Sequence, residues 1–238
     1  MSTCHVISNW NGAELRQGDA SFKSQKIYNE CMLPVAEEIL FDGRSCSTAK
    51  LLKDCPLYFS HPIYLDDLLY TAEQRIQTQS LSRVFINIEQ ETLCDQLSLA
   101  KIILLNQRAV HYGCELVVEV TERMRCGSCI RSYQGLLTLK TAQVKVALDD
   151  YDIYGAAAED TLLDPRIFDI VKVIRPASAT QLQQLSDFIH LRAKWPHQEL
   201  VIENIETQHE FKFLLKCEPL LMNFYLQGYL FHRPESIN

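Results

Sequence analysis

The chain has few glycines and no surplus of positive charge, and both shortages exclude classes of protein. Its 238 residues include eight glycines, and neither GxGxxG nor GxxxxGK followed by Ser or Thr occurs among them. Such glycine-rich loops hold phosphates in doubly wound nucleotide-binding sheets, so their absence disfavours that fold. With 23 basic against 30 acidic residues the formal charge is −7, and we expect no direct binding to nucleic acid.

Long apolar runs are also missing. No stretch approaches the roughly 18 apolar residues that a membrane-spanning helix needs. The segment Met1–Cys31 is polar and lacks the basic-then-apolar order of a signal peptide. We therefore expect a cytoplasmic protein that does not contact membranes.

The nine cysteines do not have the spacing of a disulfide framework or a zinc ribbon. Cys126 and Cys129 form a CxxC pair, but a zinc ribbon requires a second pair. In a cytoplasmic chain these cysteines are expected to be reduced, several of them as small core residues. The favoured interpretation of the CxxC pair is a turn, with a redox or metal role as the minor alternative.

Strand-like and helical patterns alternate along the chain, which has 47% apolar residues, enough for one domain with a sizeable core. We predict an N-terminal extension over residues 1–25 and a domain over residues 26–238. Predicted strands are Met32–Phe41, Arg83–Ile88, Glu115–Val120, Val144–Leu148, Asp169–Ile174, Leu200–Ile205 and Phe224–Phe231. Predicted helices are Tyr64–Thr78, Leu93–His111, Ser128–Thr141, Ala179–Lys194 and Thr207–Lys216. This order indicates an α/β fold with a parallel sheet, and the number of units favours a closed barrel.

Acidic residues, or a lysine, follow five of the apolar runs. Aspartate and glutamate are poor strand formers and costly to bury, so their repetition at strand ends calls for a cause. In a parallel barrel the carboxyl ends of the strands meet at one face. On that face we expect Glu38, Asn87, Glu119, Glu122, Asp149, Asp150, Lys172, Glu203, Glu206 and Gln227.

So many carboxylates in one pocket repel one another unless cations compensate them. Mg²⁺ or Mn²⁺ prefers oxygen ligands, and a pair of such cations suits hydrolysis of a phosphodiester. Lys172 then stabilises the attacking hydroxide or the developing charge. Other interpretations stay open at this stage: a strand-end glutamate can be a solvated rim residue, and Asp149 and Asp150 can begin a turn. Lys172 can equally be an interior lysine paired with a carboxylate.

Seven short motifs occur in the order and at the spacing of one family. They are Glu38–Leu40 (EIL), Val84–Ile88 (VFINI), Val118–Glu122 (VEVTE), Ala147–Tyr151 (ALDDY), Ile170–Val173 (IVKV), Glu203–Thr207 (ENIET) and Leu226–Phe231 (LQGYLF). Together they resemble the EAL-domain family of cyclic di-GMP phosphodiesterases, from about Ile27 to Pro234. EIL stands at the Glu-Ala-Leu signature, and LQGYLF is nearly identical to the family's QGYLF segment.

The resemblance implies a TIM-like (β/α)8 barrel of the EAL type whose first strand runs antiparallel. It implies a site with two Mg²⁺ or Mn²⁺ ions that converts cyclic di-GMP to linear pGpG, and thereby controls motility, biofilm formation or adhesion. The implied metal residues are Glu38, Asn87, Glu119, Asp149, Asp150 and Glu206. Glu38, Lys172 and Glu203 would be catalytic, with the last two acting on the nucleophilic water. Arg44, Arg175 and Gln227 would bind substrate, and Glu122 would brace the loop after Asp150.

Several positions depart from the family pattern. Asp42 stands where the family has an arginine that contacts substrate phosphate, and Tyr151–Gly155 (YDIYG) replaces a glycine-containing loop. Ile174 replaces an aspartate, and Asn204 replaces a glycine. These departures support an alternative: an EAL-like protein with impaired catalysis that binds a partner such as a flagellar or fimbrial transcription regulator. In the family the loop that Tyr151–Gly155 replaces links metal binding to the dimer interface, so its replacement bears on the homodimer that the resemblance implies as well as on catalysis. We favour the enzyme, because a non-catalytic protein has no evident need for so many mutually repelling acids around one lysine.

Overall fold

Strands and helices alternate in the computed structural model, which describes residues 20–43, 59, 61–78, 81–121, 129–155, 165–192, 194–217 and 224–237. The strands are β1 (Phe22–Asn29), β2 (Pro34–Phe41), β3 (Arg83–Ile88), β4 (Glu115–Val120), β5 (Lys145–Leu148), β6 (Ile170–Ile174), β7 (Glu199–Glu203), β8 (Phe224–Leu226) and β9 (Glu235–Ser236). The α-helices are α1 (Pro62–Thr78), α2 (Gln96–His111), α3 (Ile130–Thr141), α4 (Ala179–Arg192) and α5 (Gln208–Leu214), and 3₁₀ turns cover Gln90–Cys94 and Pro165–Ile167. None of the helices in these described segments is long and apolar enough to cross a lipid bilayer.

Eight of these strands form a closed barrel. Strands β2 to β8 are parallel neighbours in chain order. Strand β1 lies antiparallel between β8 and β2 and so closes the ring. The short β9 pairs antiparallel with β1. The predicted (β/α)8 barrel with an antiparallel first strand is therefore confirmed.

The barrel strands are buried on both faces, which explains their continuous apolar runs. In β3, the side chains of Val84, Ile86 and Ile88 face outward into the core that the helices cover. Phe85 points the other way, into the barrel interior. The interior layer takes one residue from each strand: Ile27, Ala36, Phe85, Val117, Ala147, Ile170 and Val201, with Tyr225 packed against them.

A charged cluster closes the barrel at the amino-terminal ends of its parallel strands. Arg83 begins β3, and its Nε lies 2.6 Å from Oε2 of Glu115 at the start of β4. Its guanidinium also pairs with both carboxylate oxygens of Glu199 at the start of β7 and lies 5.6 Å from the ring centre of Tyr225. Burial alone would lower the pKa of Arg83, but the two carboxylates outweigh it and raise the pKa. This end of the barrel is thus closed by paired charges.

The observed strands differ from the sequence prediction most at β1 and β8, and the ends of the other predicted strands differ by at most two residues. Strand β1 (Phe22–Asn29) is absent from the strands predicted from the residues, and two of its inward positions, Lys23 and Gln25, are polar. The boundary at residue 25 between an extension and the domain stays a prediction. Strand β8 ends at Leu226 and not at Phe231, because Gly228 passes against the backbone of Ile205. A Cβ on Gly228 would lie 2.1 Å from the Ile205 carbonyl oxygen, so the chain turns there.

The helix boundaries follow their caps. Helix α2 begins at Gln96 and not at Leu93, because the Asp95 carboxylate accepts the N–H of Ser98 as an N-cap. The preceding residues form the 3₁₀ turn, and Gly135 of α3 packs directly on it. A Cβ at Gly135 would lie 1.9 Å from the Leu93 carbonyl oxygen. Helix α5 begins with a capping box between Thr207 and Glu210.

Candidate active site

Each of the eight barrel strands adds one polar side chain directly above the apolar interior layer. Side chains alternate with period two along a strand, so each of these residues stands two positions from an interior residue. Antiparallel β1 contributes in the reverse direction, with Gln25 above Ile27. The polar layer is Gln25, Glu38, Asn87, Glu119, Asp149, Lys172, Glu203 and Gln227. The parallel strands therefore aim their carboxyl ends at one site, as the sequence predicted.

Lys172 lies at the centre of this layer and is 1% exposed. Its Nζ is 2.8 Å from Glu119, 2.9 Å from Glu203, 3.1 Å from Glu38 and 3.2 Å from Asp149. Burial alone would lower the pKa of this lysine, but the four carboxylates outweigh burial and raise the pKa well above its usual value. The side chain is therefore a permanent positive charge within a ring of acids.

Glu38 accepts hydrogen bonds from three side chains of the layer. Its Oε1 accepts from Asn87 Nδ2 at 2.6 Å, and its Oε2 accepts from Gln227 Nε2 at 2.5 Å and from Lys172 at 3.1 Å. Burial would raise the pKa of this carboxyl, but the charge of Lys172 and the hydrogen bonds outweigh burial and lower it. Glu38 is accordingly held as an anion.

Two other carboxyls hold protons more tightly than usual. Burial, then the negative charges of Glu38 and Asp149, raise the pKa of Glu119 well above its ordinary value in spite of Lys172. Burial also raises the pKa of Glu203 to about 8, with Asp149 and Glu38 adding to the effect and Lys172 opposing it. One lysine does not compensate this many acids, so the site carries unsatisfied negative charge.

That surplus of charge fits divalent cations. Neither oxygen of Glu119 accepts a hydrogen bond of good geometry from the described residues, although Lys172 Nζ lies 2.8 Å from one of them. The side-chain oxygen of Gln227 is also buried without a hydrogen-bond donor among those residues. Asp149, Asp150 and Glu203 each offer an oxygen within 4.8 Å of the others. Buried oxygens without donors and converging carboxylates are the donor set that a hard cation requires.

The layer forms the floor of a pocket of about 200 Å³. Of the residues predicted for the site, it is lined by Glu38, Asp149, Asp150, Lys172, Glu203, Glu206 and Gln227. Asn87 and Glu119 reach the same group through their contacts with Glu38 and Lys172. Asp150 (φ 50°) and Asn204 (φ 60°) adopt the left-handed conformation at the rim, which aspartate and asparagine tolerate better than most residues. Asn204 therefore adopts a conformation usual for glycine.

Arg175 is not among the residues that line the pocket. Arg175 donates its Nε–H to the Asn204 carbonyl at 2.9 Å and forms an ion pair with Glu210. Its guanidinium is thus held at the rim. Arg44 and Glu122 lie outside the described residues.

Two pocket residues, Lys23 and Gln25, were missed from the sequence. Both lie on β1, where the spacing Lys23, Gln25, Ile27 is the alternation of a strand with a polar mouth and an apolar base. That alternation is the signal in the sequence that would have identified them. Gln25 Nε2 donates to the His232 carbonyl at 3.0 Å, and its Oε1 lies 3.4 Å from Gln227 Nε2.

The loop after Asp150 is closed without the glycines expected from the family pattern. The Asp152 carboxylate accepts the N–H groups of Tyr154 at 2.8 Å and Gly155 at 2.9 Å, which forms an Asx turn. The Tyr154 hydroxyl donates to the Ile174 carbonyl at 2.8 Å. Within this described segment, Tyr151–Gly155, no residue other than glycine has a positive φ. The side chain of Asp152 therefore makes the turn in the described part of this loop.

Asp42 is not among the described residues that line the pocket. It is 8% exposed, lies at the end of β2, and its Oδ2 lies 3.4 Å from the Ser236 hydroxyl on β9. Its backbone N–H donates to the Ser21 carbonyl at 2.8 Å. The residue that replaces the family's phosphate-contacting arginine is therefore not part of the pocket lining.

Solved structures share this fold. The EAL enzyme Bd1971, in its cAMP- and cyclic-di-GMP-bound form, matches 91% of the chain at 17% identity with a TM-score of 0.67. An EAL-domain protein from Listeria monocytogenes EGD-e matches 91% at 19% identity with a TM-score of 0.66. The Bacillus subtilis YkuI protein, which has an EAL domain and was solved with cyclic di-GMP and calcium, matches 92% at 19% identity with a TM-score of 0.67.

The chain spans 62% of the length of the Bd1971 chain, 56% of YkuI and 89% of the Listeria protein. Scans against protein-family models and against curated proteins find no match. At these identities the structural likeness shows the fold alone, and the fold is that of EAL-domain phosphodiesterase structures.

Proposed function

We propose that this barrel hydrolyses cyclic di-GMP to linear pGpG at the polar pocket, with two Mg²⁺ or Mn²⁺ ions. The observation that carries the proposal is the ring of carboxylates around Lys172, four of which lie within 3.2 Å of its Nζ. Structures of the same fold bind cyclic di-GMP, and one holds calcium, which supports both the substrate class and the use of divalent cations.

The proposed metal residues are those whose oxygens converge on the pocket or lack donors. Of the proposed metal ligands, Asp149 and Asp150 lie at one edge of the site, and Glu119 lies at its floor. The remaining proposed ligands are Glu38, Asn87 and Glu206. When bound, two divalent cations supply the positive charge that polarises a phosphodiester and lowers the pKa of a nearby water.

The chain's own residues supply proton transfer and charge. Glu203, with a pKa near 8, accepts the proton of the attacking water near neutral pH once that pKa is lowered by added positive charge. Lys172 Nζ, 2.9 Å from Glu203, orients that carboxylate and stabilises negative charge on the reacting phosphate. Gln227 fixes Glu38 through a 2.5 Å hydrogen bond and lines the pocket against the substrate. Arg175, at the rim, binds substrate on release from Glu210, and Arg44 remains a predicted contact.

The assay is direct. Purified protein is incubated with cyclic di-GMP and Mg²⁺ or Mn²⁺, and pGpG is measured by chromatography beside the Glu38→Ala variant. Product that depends on the metal and on Glu38 supports the enzyme. Tight binding of cyclic di-GMP without product would favour the alternative, a catalytically impaired protein that acts on a transcription regulator. The absence of both pGpG and cyclic di-GMP binding would refute the proposed function.

A further inference from the structure

The wall of the pocket contains a second lysine. On β1 the inward positions are Lys23, Gln25 and Ile27, and since β1 is antiparallel, Lys23 is the one nearest the mouth. Lys23 lines the same pocket as Asp149, Asp150 and Glu206. Its position is fixed on both sides, because it pairs in register with Leu40 of β2 and Ser236 of β9.

The ammonium group of Lys23 has no bonding partner among the described residues. None of the ion pairs or side-chain hydrogen bonds among the described residues involves its ammonium group, although the pocket is lined by acids. Lys172, by contrast, is fully buried and bound to four carboxylates. A half-buried lysine without a partner at the mouth of an acidic pocket is a group available to a ligand.

Cyclic di-GMP, a dianion with two phosphodiester groups of one negative charge each, needs such a group. Its phosphate that lies away from the metal site meets a wall of carboxylates, and like charges across a binding site reduce affinity. We propose that Lys23 binds a non-bridging phosphate oxygen of the substrate at the pocket mouth, an inference that rests on the proposed function. Lys23 is therefore a specificity-determining residue, which discriminates in favour of a dianionic ligand, and it takes no part in bond breaking.

The test compares KM and kcat for cyclic di-GMP across matched variants. Loss of a charge-assisted hydrogen bond weakens binding by about 10- to 100-fold, so Lys23→Ala and Lys23→Gln raise KM by that factor. The kcat changes less than about threefold, because the lost contact is equal in ground and transition states. Lys23→Arg restores most of the affinity. Lys26→Ala is the control: it removes the same charge from the opposite face of the same strand and leaves KM unchanged.

A KM for Lys23→Ala equal to that of Lys26→Ala, in a wild type that makes pGpG, would overturn the role of Lys23 and leave the proposed function standing. An equal fall of kcat in Lys23→Gln and Lys23→Ala with unchanged KM would also overturn it. A wild type that neither binds nor cleaves cyclic di-GMP refutes the proposed function, and with it this substrate contact.

A different observation concerns two cysteines beside the loops of the same face. The sulfurs of Cys94 and Cys129 lie 3.9 Å apart. Cys94 ends the 3₁₀ turn after β3, and Cys129 is the N-cap of α3 after β4. The close packing of Gly135 on Leu93 holds these two segments together.

We propose that Cys94 and Cys129 form a reversible disulfide when the protein meets a peroxide. A disulfide bond needs the two sulfurs about 1.9 Å closer than they are, so the proposal requires rotation of the two side chains. One thiolate attacks hydrogen peroxide and the O–O bond breaks. This step releases one water and converts the attacking cysteine to a sulfenic acid. The second thiol displaces a second water from it and completes the S–S bond, so two thiols are oxidised and one peroxide is reduced. The bond would tie the 3₁₀ turn after β3 to the helix after β4.

The test is mass spectrometry after mild hydrogen peroxide treatment, alkylation and non-reducing digestion. We expect a peptide pair linked through Cys94 and Cys129 that disappears on reduction. Cys31→Ser is the control, because Cys31 is exposed on a distant turn and its loss leaves the link intact. Alkylation of both Cys94 and Cys129 after oxidation, or a link from Cys129 to Cys126 instead, would overturn the proposal.

Discussion

Removing Lys172 tests whether the polar layer depends on one positive charge. In Lys172→Met, four carboxylates within 3.2 Å lose their shared cation. At about 3 Å and an effective dielectric constant of about 20, each attraction is worth about 5 kcal/mol, or about 20 kcal/mol gross. Mutual repulsion of the acids already cancels much of this, and the carboxyls take up protons when the lysine is lost. Removal of one partner of a buried ion pair costs about 3–5 kcal/mol, and we expect a loss of unfolding free energy in that range.

The assay is urea unfolding in EDTA, with Lys145→Met as the matched control. Lys145 stands at the amino-terminal end of β5, half-buried, and no described residue forms an ion pair with its side chain. Its replacement removes the same charge from the opposite end of the barrel. We expect a loss below about 0.5 kcal/mol for the control. Addition of Mg²⁺ should stabilise Lys172→Met more than wild type, because a bound cation replaces the missing charge. Equal losses for the two variants in EDTA would refute this description of the site.

Three further predictions follow from single contacts. Gly135→Ala gains about 1 kcal/mol of helix propensity but places a Cβ 1.9 Å from the Leu93 carbonyl oxygen, so we expect a net destabilisation of about 1–3 kcal/mol in urea unfolding; a stabilised variant would contradict the packing. Metal binding displaces the proton of Glu203, whose pKa is about 8, so calorimetry should show affinity rising about tenfold per pH unit below that value, and a flat profile would exclude this coupling. Asp95→Ala removes the N-cap of α2 and should lower the free energy of unfolding by about 1 kcal/mol. The hydrogen bond from Ser98 lowers the pKa of Asp95. This loss of stability should therefore be present above the usual carboxyl pKa and vanish as the pH falls through the lowered pKa.

The parts of the fold that the sequence predicts are those where both faces of a strand are buried. Arg83–Ile88 and Glu115–Val120 have the predicted bounds. Continuous runs of branched and aromatic residues are typical of parallel strands that are buried on both faces. Strand β1 escaped prediction from the residues because its inward residues Lys23 and Gln25 line the site and are polar. Its hydrophobic alternation is therefore interrupted at the point where the strand contributes to function.

The candidate site also has a part that could be predicted from the sequence and a part that could not. Carboxylates that follow apolar strands were predictable, since parallel strands bring their ends to one face, and Glu38, Glu119, Asp149 and Glu203 do meet around Lys172. Contacts that depend on loop conformation were not. The side chain of Asp152 closes a turn through hydrogen bonds that the family pattern did not indicate. The burial of Asp42 behind β9 and the pairing of Arg175 with Glu210 likewise depend on tertiary neighbours.

The central claim is that the polar layer is a metal-dependent phosphodiester site, and production of pGpG from cyclic di-GMP tests it most directly. The sharpest comparison is between neighbouring residues of β2: Glu38 faces the pocket, whereas Glu37 faces outward and pairs with Arg75. The account predicts product in wild type and in Glu37→Gln with Mg²⁺ or Mn²⁺, and a loss of about 100-fold or more in Glu38→Gln. No pGpG from wild type under either metal, or equal rates in the two variants, would contradict it.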